Sequence, residues 1–313
     1  MNRAILFTQP GGPERLELVE RPLPTPGPGE ALVRHRAIGV NFIDTYHRSG
    51  LYPLPLPSGL GVEAVGVVEA TGQGCVVPVG RRVAYIAATP GCYADARVVP
   101  ADRLLPLPDG IDDERAAAVL LKGLTAYFLL HRSFRVEAGS WLVVHAATGG
   151  VGSLLCPWAH SLGATVIGVV GSEAKIDRAR ALGCAHVLLS SDVEWPRQVR
   201  SICPRGVDVV YDSVGRTSFD GSLDCLRPFG LLVSFGQASG PIPPFDVGVL
   251  ARKGSLYLTR MTLFAHLADA HAADEAQRAL FARVLDGSLR VDLSGRFALA
   301  DAASAHRELE ARR

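Results

Sequence analysis

Trp141-Leu-Val-Val-His-Ala-Ala-Thr-Gly-Gly-Val-Gly152, followed by Ser153-Leu-Leu-Cys-Pro-Trp-Ala-His-Ser-Leu-Gly163, is the stretch on which the fold turns. Trp141 to His145 is a short, mostly apolar run, the pattern of a strand buried on both faces. Glycines then allow a tight turn, and Leu154, Leu155, Trp158 and Leu162 recur at helical spacing, with Pro157 tolerable near the first turns of the helix. A strand, a glycine turn and a helix together aim backbone N–H groups and a helix N-terminus at a phosphate. The G-x-G-x-x-G fingerprint is present as Ala147-Thr148-Gly149-Gly150-Val151-Gly152, with Ala in the first place. Alone, such a motif fits a glycine turn without a ligand as well as it fits a cofactor cradle.

The next strand weighs in favour of the cradle. Ala164-Thr-Val-Ile-Gly-Val-Val170 ends about 20 residues on, where an adenosine ribose is expected. An acidic residue there would accept from the ribose hydroxyls of NADH, but the chain continues as Gly171-Ser172-Glu173-Ala174-Lys175. A small hydroxyl, Lys175 and Arg178 beyond an acid-free tip suit a 2′-phosphate, and hence NADPH. Glu173 argues the other way but lies past the usual acidic position, and Lys175 read alone is equally a solvated helix charge.

Length and composition bound the rest. The 313 residues suffice for one large or two ordinary domains. A hydrophobic fraction of 48% with 20% charge is that of a soluble globular protein, expected in the cytoplasm. A formal net charge of +1 gives no electrostatic case for nucleic acid, and no stretch approaches the length of a membrane span or a signal peptide. The six cysteines are scattered without a C-x-x-C pair, as in a reduced protein with no structural zinc; Cys184-Ala-His186 is the nearest approach to a ligand pair, and a strand entry explains it better.

Residues 1–110 read as β-rich, with strands at 31–38, 64–70 and 82–86 and Pro-rich extended segments at 21–29 and 51–59. A helix begins near Asp112, pauses at Lys122-Gly123 and resumes from Thr125 to Leu130. From Trp141 the pattern alternates, with strands at 141–145, 165–170, 186–189, 207–212, 230–235 and 255–259 and helices between most of them. That is the signature of an α/β, doubly wound parallel sheet. A mainly helical tail follows Arg260, with one further strand at Leu289–Val291.

Several motifs together resemble a known family: Asn41-Phe-Ile-Asp-Thr-Tyr46, Ser49-Gly-Leu-Tyr-Pro53, Pro57-Ser-Gly-Leu-Gly61, Lys122-Gly-Leu-Thr125, His145-Ala-Ala-Thr-Gly-Gly-Val-Gly152, Tyr211-Asp-Ser-Val-Gly215 and Val233-Ser-Phe-Gly236. In order and over nearly the whole chain, they are similar to the zeta-crystallin-type NADPH:quinone oxidoreductases of the medium-chain dehydrogenase/reductase superfamily. The resemblance implies a GroES-like catalytic domain at 1–119, completed by 260–313, with a Rossmann NADPH-binding domain at 120–259 inserted between. Where zinc enzymes of the superfamily carry Cys and Gly-His-Glu, this chain has Asn41 and Gly59-Leu-Gly-Val-Glu63. Two ligands are thus missing, and the resemblance implies hydride transfer to a quinone without a metal.

The implied roles follow the motifs. Gly149, Gly150, Val151 and Gly152 hold the pyrophosphate, and Ser172, Lys175 and Ser190 surround the 2′-phosphate. Lys122, Thr125, Ser234, Phe235 and Gly236 border the nicotinamide half, and Lys122 and Thr125 lie at the domain junction. Asn41, Tyr46, Tyr52 and Arg260 are the groups that meet the substrate oxygen, while Asp44 orients a neighbour or caps a turn rather than acting as a base. Two departures stand out. Ser190 replaces a Tyr that packs by the 2′-phosphate in relatives. A terminal apolar strand is also replaced by Ala311-Arg-Arg313, which implies either a shortened chain or a first domain one strand short. Relatives pair through the strand at 254–259, so a homodimer is expected. The alternatives are an NADPH-dependent enone or 2-alkenal reductase and, outside enzymes, an NADPH-binding or RNA-binding protein.

Overall fold

The computed structural model describes residues 1–311, so the chain's last two residues, where the departure at its end was noted, lie outside the described residues. The chain divides into two units, residues 1–121 with 291–313 and residues 122–290.

The first unit holds two antiparallel sheets. β1 (Asn2–Phe7), β2 (Glu17–Arg21), β3 (Glu30–Ile38), α1 (Phe42–Ser49), β4 (Ser58–Gly59), β5 (Glu63–Thr71), β6 (Arg82–Ile86), β7 (Ala96–Pro100) and β8 (Leu105–Pro106) follow in order, then α2 (Asp113–Phe128). The sheets run β2-β1-β4 and β7-β3-β5-β6-β8. Alternating inward residues such as Ala31, Val33, Val83 and Tyr85 fill the core of the larger one. A second cluster of Ile5, Phe7, Leu60 and Tyr93 is closed by Ala302 of the terminal helix, introduced below.

In the second unit β9 (Trp141–His145), α3 (Gly152–Ser161), β10 (Thr165–Val170), α4 (Ile176–Ala181), β11 (His186–Leu189), α5 (Trp195–Ile202), β12 (Val207–Asp212), α6 (Phe219–Cys225), β13 (Leu226–Ser234), α7 (Gly248–Arg252) and β14 (Tyr257–Arg260) alternate. They build one six-stranded sheet in the order β11-β10-β9-β12-β13-β14, every neighbouring pair parallel. The expected doubly wound sheet is therefore present, and β12 is buried along its whole length. α8 (Leu263–Leu267) and α9 (Ala270–Leu285) complete this unit, and α10 (Ala302–Ala311) returns to the first. Among the described residues no helix is long and apolar enough to cross a membrane.

The structure differs from the sequence reading at five places. The helix does not pause at Lys122-Gly123: α2 runs unbroken to Phe128, and a π turn over Leu129–Ser133 follows. Gly123 is tolerated because it makes room, since a Cβ there would overlap Leu280 of α9. For the same reason residues 260–290 pack with the second unit and not with the first: His266 stacks on Phe128 at 4.6 Å, and Ala272, Ala276 and Leu280 are buried. Leu289–Val291 is not a strand; the Leu289 N–H turns back to the Arg283 carbonyl at 2.9 Å. β13 starts at Leu226, ahead of the expected 230, with Phe229 held at φ 58°. Finally, β14 begins at Tyr257 because the Leu256 N–H is taken by the Leu250 carbonyl at 3.0 Å. Pro157 is the sixth residue of α3, where the helix loses one intrahelical donor, the one facing the Ser153 carbonyl.

The contact at Gly123 gives a direct expectation. Leu280 has no exposed surface, so Leu280→Ala should open a cavity against α2 and lower the unfolding free energy by roughly 2–5 kcal/mol. Urea denaturation of the two proteins checks it, and a loss well under 1 kcal/mol would mean that α9 does not hold this face.

Candidate functional site

On the second unit the glycine turn is shaped by backbone crowding. Ala146 takes a left-handed φ of 50° and its carbonyl accepts the Gly149 N–H at 2.8 Å. A Cβ at Gly152 would overlap that carbonyl oxygen and lie 2.7 Å from the Ala147 backbone, so the first residue of α3 must be glycine. Ala147, in the first place of the fingerprint, is buried and faces Gly168 of β10, whose own Cβ would lie 3.0 Å from the Ala147 methyl. Strand β10 therefore gives up the side chain that the fingerprint usually gives up. The Ser153 and Leu154 N–H groups at the start of α3 are taken by the Gly149 and Val151 carbonyls at 2.8 and 3.1 Å, so the N–H groups that the turn can offer a phosphate are those of Gly150, Val151 and Gly152. Lys122 lies alongside, its Cδ and Cε each 3.1 Å from where a Gly150 Cβ would stand.

Around this turn the strand tips collect the other expected groups. Ser172, exposed, begins a 3-10 turn over Glu173–Lys175, and its carbonyl accepts the Lys175 N–H at 3.1 Å. Ser190 follows β11 and donates its N–H to the Val170 carbonyl at 2.8 Å, so Ser190 and the acid-free tip of β10 are neighbours. At the end of β13 Gly236 is forced, because a Cβ would lie 2.6 Å from the Ser213 carbonyl oxygen. Phe235 donates its N–H to Asp212 at 2.8 Å, and the preceding Ser234 is buried with its hydroxyl unpartnered. Arg260 pairs with Ser234 across β13 and β14. Thr125 lies on α2, 7% exposed.

Beneath these tips lies a network that sequence reasoning missed. Asp212 accepts from the Val214 N–H at 2.7 Å and the Ser218 hydroxyl at 2.7 Å, and Ser222 joins it to His145, whose Nε2 lies 2.9 Å from the Ser222 hydroxyl. Burial pushes the His145 pKa down, against a smaller opposing pull from Asp212. His145 and Asp212, each from one of the motifs, thus tie the ends of β9 and β12 together. Their signal in the sequence was membership of two motifs that looked like strand ends.

On the first unit α1 carries the substrate-side candidates. Asn41 precedes it, 3% exposed, and donates its backbone N–H to Asp44 Oδ2 at 2.9 Å. The bond to the Asn41 N–H makes Asp44 part of a capping box on α1, and Asp44 also accepts from the Tyr93 hydroxyl at 3.1 Å. The Asn41 amide donates from Nδ2 to Glu63 Oε1 at 2.6 Å. Tyr46 and Tyr52 meet edge-on with ring centroids 5.1 Å apart, and the Tyr52 N–H is held by the Tyr46 carbonyl at 3.0 Å.

Behind Asp44 the network runs on into the terminal helix. Tyr93 meets His306 Nε2 at 3.1 Å, Arg48 donates to His306 Nδ1 at 2.9 Å, and Arg48 pairs with Glu310 at 2.7 Å. Since Arg48 can only donate, the His306 proton must sit on Nε2. Among the described residues no group of three or more His, Cys, Asp or Glu is arranged to hold a metal. The two places that would carry ligands in a zinc enzyme are instead Asn41, bound to Glu63, and the buried backbone at Leu60–Val62.

Burial, with the positive charge of Arg48 beside it, lowers the His306 pKa from 6.5 to about 4, and burial does the same for His35. Both are neutral when folded and bind protons more readily when unfolded. Their contribution to stability is therefore complete above pH 6.5 and is lost as the pH falls from 6.5 towards 4. Each group has an upper limit of about 1.4 kcal/mol per pH unit. Urea midpoints should fall between pH 7 and pH 5, and His306→Gln should flatten part of that slope; an equal slope in the variant would remove His306 as its source.

Comparison with known proteins agrees with this arrangement. Residues 27–109 match the alcohol dehydrogenase GroES-like domain family, and residues 150–272 match the zinc-binding dehydrogenase family. The chain is 47% identical to a quinone oxidoreductase of Pseudomonas aeruginosa, covering all of this chain and 97% of that one. It is 41% identical to a 2-haloacrylate reductase of a Burkholderia species, covering 96% of that protein. The crystal structure of Escherichia coli quinone oxidoreductase complexed with NADPH superposes with a TM-score of 0.97 at 42% identity, over all of this chain and 97% of that one. With two units of the expected kinds and relatives of this identity over its full length, the chain belongs to the quinone oxidoreductase family of the medium-chain dehydrogenase/reductase superfamily.

Proposed function

We propose that the chain is an NADPH-dependent quinone oxidoreductase that delivers hydride to a quinone without a metal. The observation that carries this reading is the crowded turn at Ala146–Gly152 beside an acid-free β10 tip flanked by Ser172, Lys175 and Ser190. A side chain at Gly152 would collide with the Ala146 carbonyl and spoil the turn, and an acid at Val170 would repel a 2′-phosphate.

Bound NADPH supplies the hydride. The N–H groups of Gly150, Val151 and Gly152 would orient the pyrophosphate, with Gly149 shaping the turn, and Lys175 with Ser172 and Ser190 would receive the 2′-phosphate. Lys122, Thr125, Phe235 and Gly236 border the nicotinamide half, with the unpartnered Ser234 hydroxyl ready to meet a polar group there. A quinone oxygen gains negative charge as hydride arrives, and the Tyr46 and Tyr52 hydroxyls are the donors we assign to it. Quinones accept hydride readily, so these groups need only bind and orient, and solvent can supply the proton that completes the hydroquinone. A second reading, reduction of an activated alkene, is favoured by the 41% identity to a 2-haloacrylate reductase. The net charge of +1 counts against RNA as a ligand. The protein is assigned to the cytoplasm, in keeping with six free cysteines.

The test is initial-rate oxidation of NADPH and NADH with 1,4-benzoquinone, a 2-alkenal and 2-chloroacrylate. A charged hydrogen bond to the 2′-phosphate is worth roughly 1.5–3 kcal/mol, so NADPH should be preferred by about tenfold or more. Lys175→Glu should weaken NADPH by at least that factor and leave NADH nearly unchanged. Equal losses for both cofactors would refute the phosphate assignment, and a preference for the alkenes would favour the second reading.

We also propose a homodimer formed along β14, the edge of the six-stranded sheet. The Met261 N–H reaches the Ser234 carbonyl at 3.2 Å, so by strand alternation Leu258 and Arg260 turn their N–H groups to the open edge. Tyr257, on β14 itself, is 60% exposed and supplies apolar surface there. Leu258→Pro, which removes one outward donor, should turn a dimer into a monomer by light scattering; a dimeric mass in the variant would move the interface elsewhere.

A further inference from the structure

Asn41 is fixed more tightly than a substrate-binding amide needs to be, and the manner of its fixing has a consequence for what it binds. Its Nδ2 donates to Glu63 Oε1 at 2.6 Å, and Glu63 Oε2 accepts the Leu121 N–H at 2.8 Å. Glu63 has no exposed surface, and its carboxylate lies over Gly39, where a Cβ would overlap it. The backbone of Asn41 is held at the same time by Asp44 at 2.9 Å. Which end of an amide points which way is ordinarily a choice between near-equals. Here the choice is forced, because a carboxylate oxygen accepts and does not donate, so the NH2 must face Glu63. The other end of the amide, Oδ1, is buried; the capping box turns it towards the Asp44 N–H, and no hydrogen bond of normal geometry holds it.

We propose that Glu63 is a positioning residue that sets the polarity of Asn41, so that Asn41 offers a carbonyl oxygen and the group seated against it carries an O–H or N–H donor. A quinone carbonyl is an acceptor and is disfavoured at that spot. A hydroquinone hydroxyl fits, as does a ribose hydroxyl or carboxamide N–H of the cofactor. Asn41, expected among the groups that meet the substrate oxygen, is thus the acceptor of the set, and the donors are left to the tyrosines. The inference rests on the quinone reductase reading of the same residues.

Glu63→Gln is the test, since it keeps shape and volume. When the Gln carbonyl takes the Leu121 N–H, its NH2 faces Asn41, and the Asn41 amide must turn over and offer NH2 in place of oxygen. Three ligands are titrated without turnover: NADPH, hydroquinone in the presence of NADP⁺, and 1,4-dimethoxybenzene, which has acceptors only. The expected result is about a tenfold weakening of one donor ligand, with the dimethyl ether unchanged or tighter. Weakening confined to NADPH identifies the cofactor as the donor, and weakening confined to hydroquinone identifies the product. Asn41→Ala should lose the same factor for the same ligand, and the double variant should lose no more than Asn41→Ala alone.

Equal weakening of hydroquinone and its ether, or no change in either donor ligand while the melting temperature is kept, would overturn the proposal. If Glu63→Gln fails to fold, Asn41→Ala decides alone, and unchanged affinity for both donor ligands overturns it. A parent protein that binds neither NADPH nor hydroquinone would instead refute the quinone reductase reading, before Glu63 is tested.

Discussion

One carbonyl, that of Ala146, governs the cofactor half of the molecule. It accepts the Gly149 N–H and stands where a side chain on Gly152 would have to go. To let the chain leave a buried strand and enter a helix in so few residues, Ala146 adopts a left-handed φ and Gly152 gives up its Cβ. The same turn takes up the Ser153 and Leu154 N–H groups with its own carbonyls and leaves those of Gly150, Val151 and Gly152 for a phosphate. The Asp212–Ser222–His145 network then ties the end of β12, through α6, to the end of β9 from which the turn departs.

The substrate half depends on a different device, a pair of buried carboxylates. Asp44 caps α1 and is tied through Tyr93 to His306, while Glu63 holds the Asn41 side chain. Neither carboxylate is left to act as a proton carrier in the arrangement we describe. Both fix geometry, which suits a reaction whose acceptor is already electrophilic and whose demands are orientation and exclusion of water.

Much of this was legible in the chain. Strands β9, β10 and β12 fell where their apolar runs placed them, because strands buried on both faces have no competing pattern. β2 was not found: Glu17, Leu18 and Glu20 are exposed, so no alternation marks it. The pause read into α2 came from treating Gly123 as a breaker, when its small size answers Leu280, far along the chain. The site divided in the same way. Contiguous motifs gave Asn41, Tyr46, Tyr52 and the glycine turn, whereas Glu63, Tyr93 and His306 act through partners 22, 49 and 258 residues away. Periodicity and local spacing carry no record of such pairings.

The tie between Arg48, His306 and Glu310 also orders events in time. The strands of the first unit are the first to leave the ribosome, yet the helix that covers Ile5, Phe7 and Leu60 and receives Arg48 is made last. Until residues 299–310 emerge, the Arg48 guanidinium and the Asp44–Tyr93 pair lack the partner that completes them. The sheet of residues 122–290, by contrast, has every strand it needs before that point. The nucleotide-binding unit can therefore mature on the nascent chain while the first unit waits. A ribosome stalled ahead of α10 would present a formed cofactor fold joined to an unfinished β domain, the state in which chaperones and proteases have most to recognise.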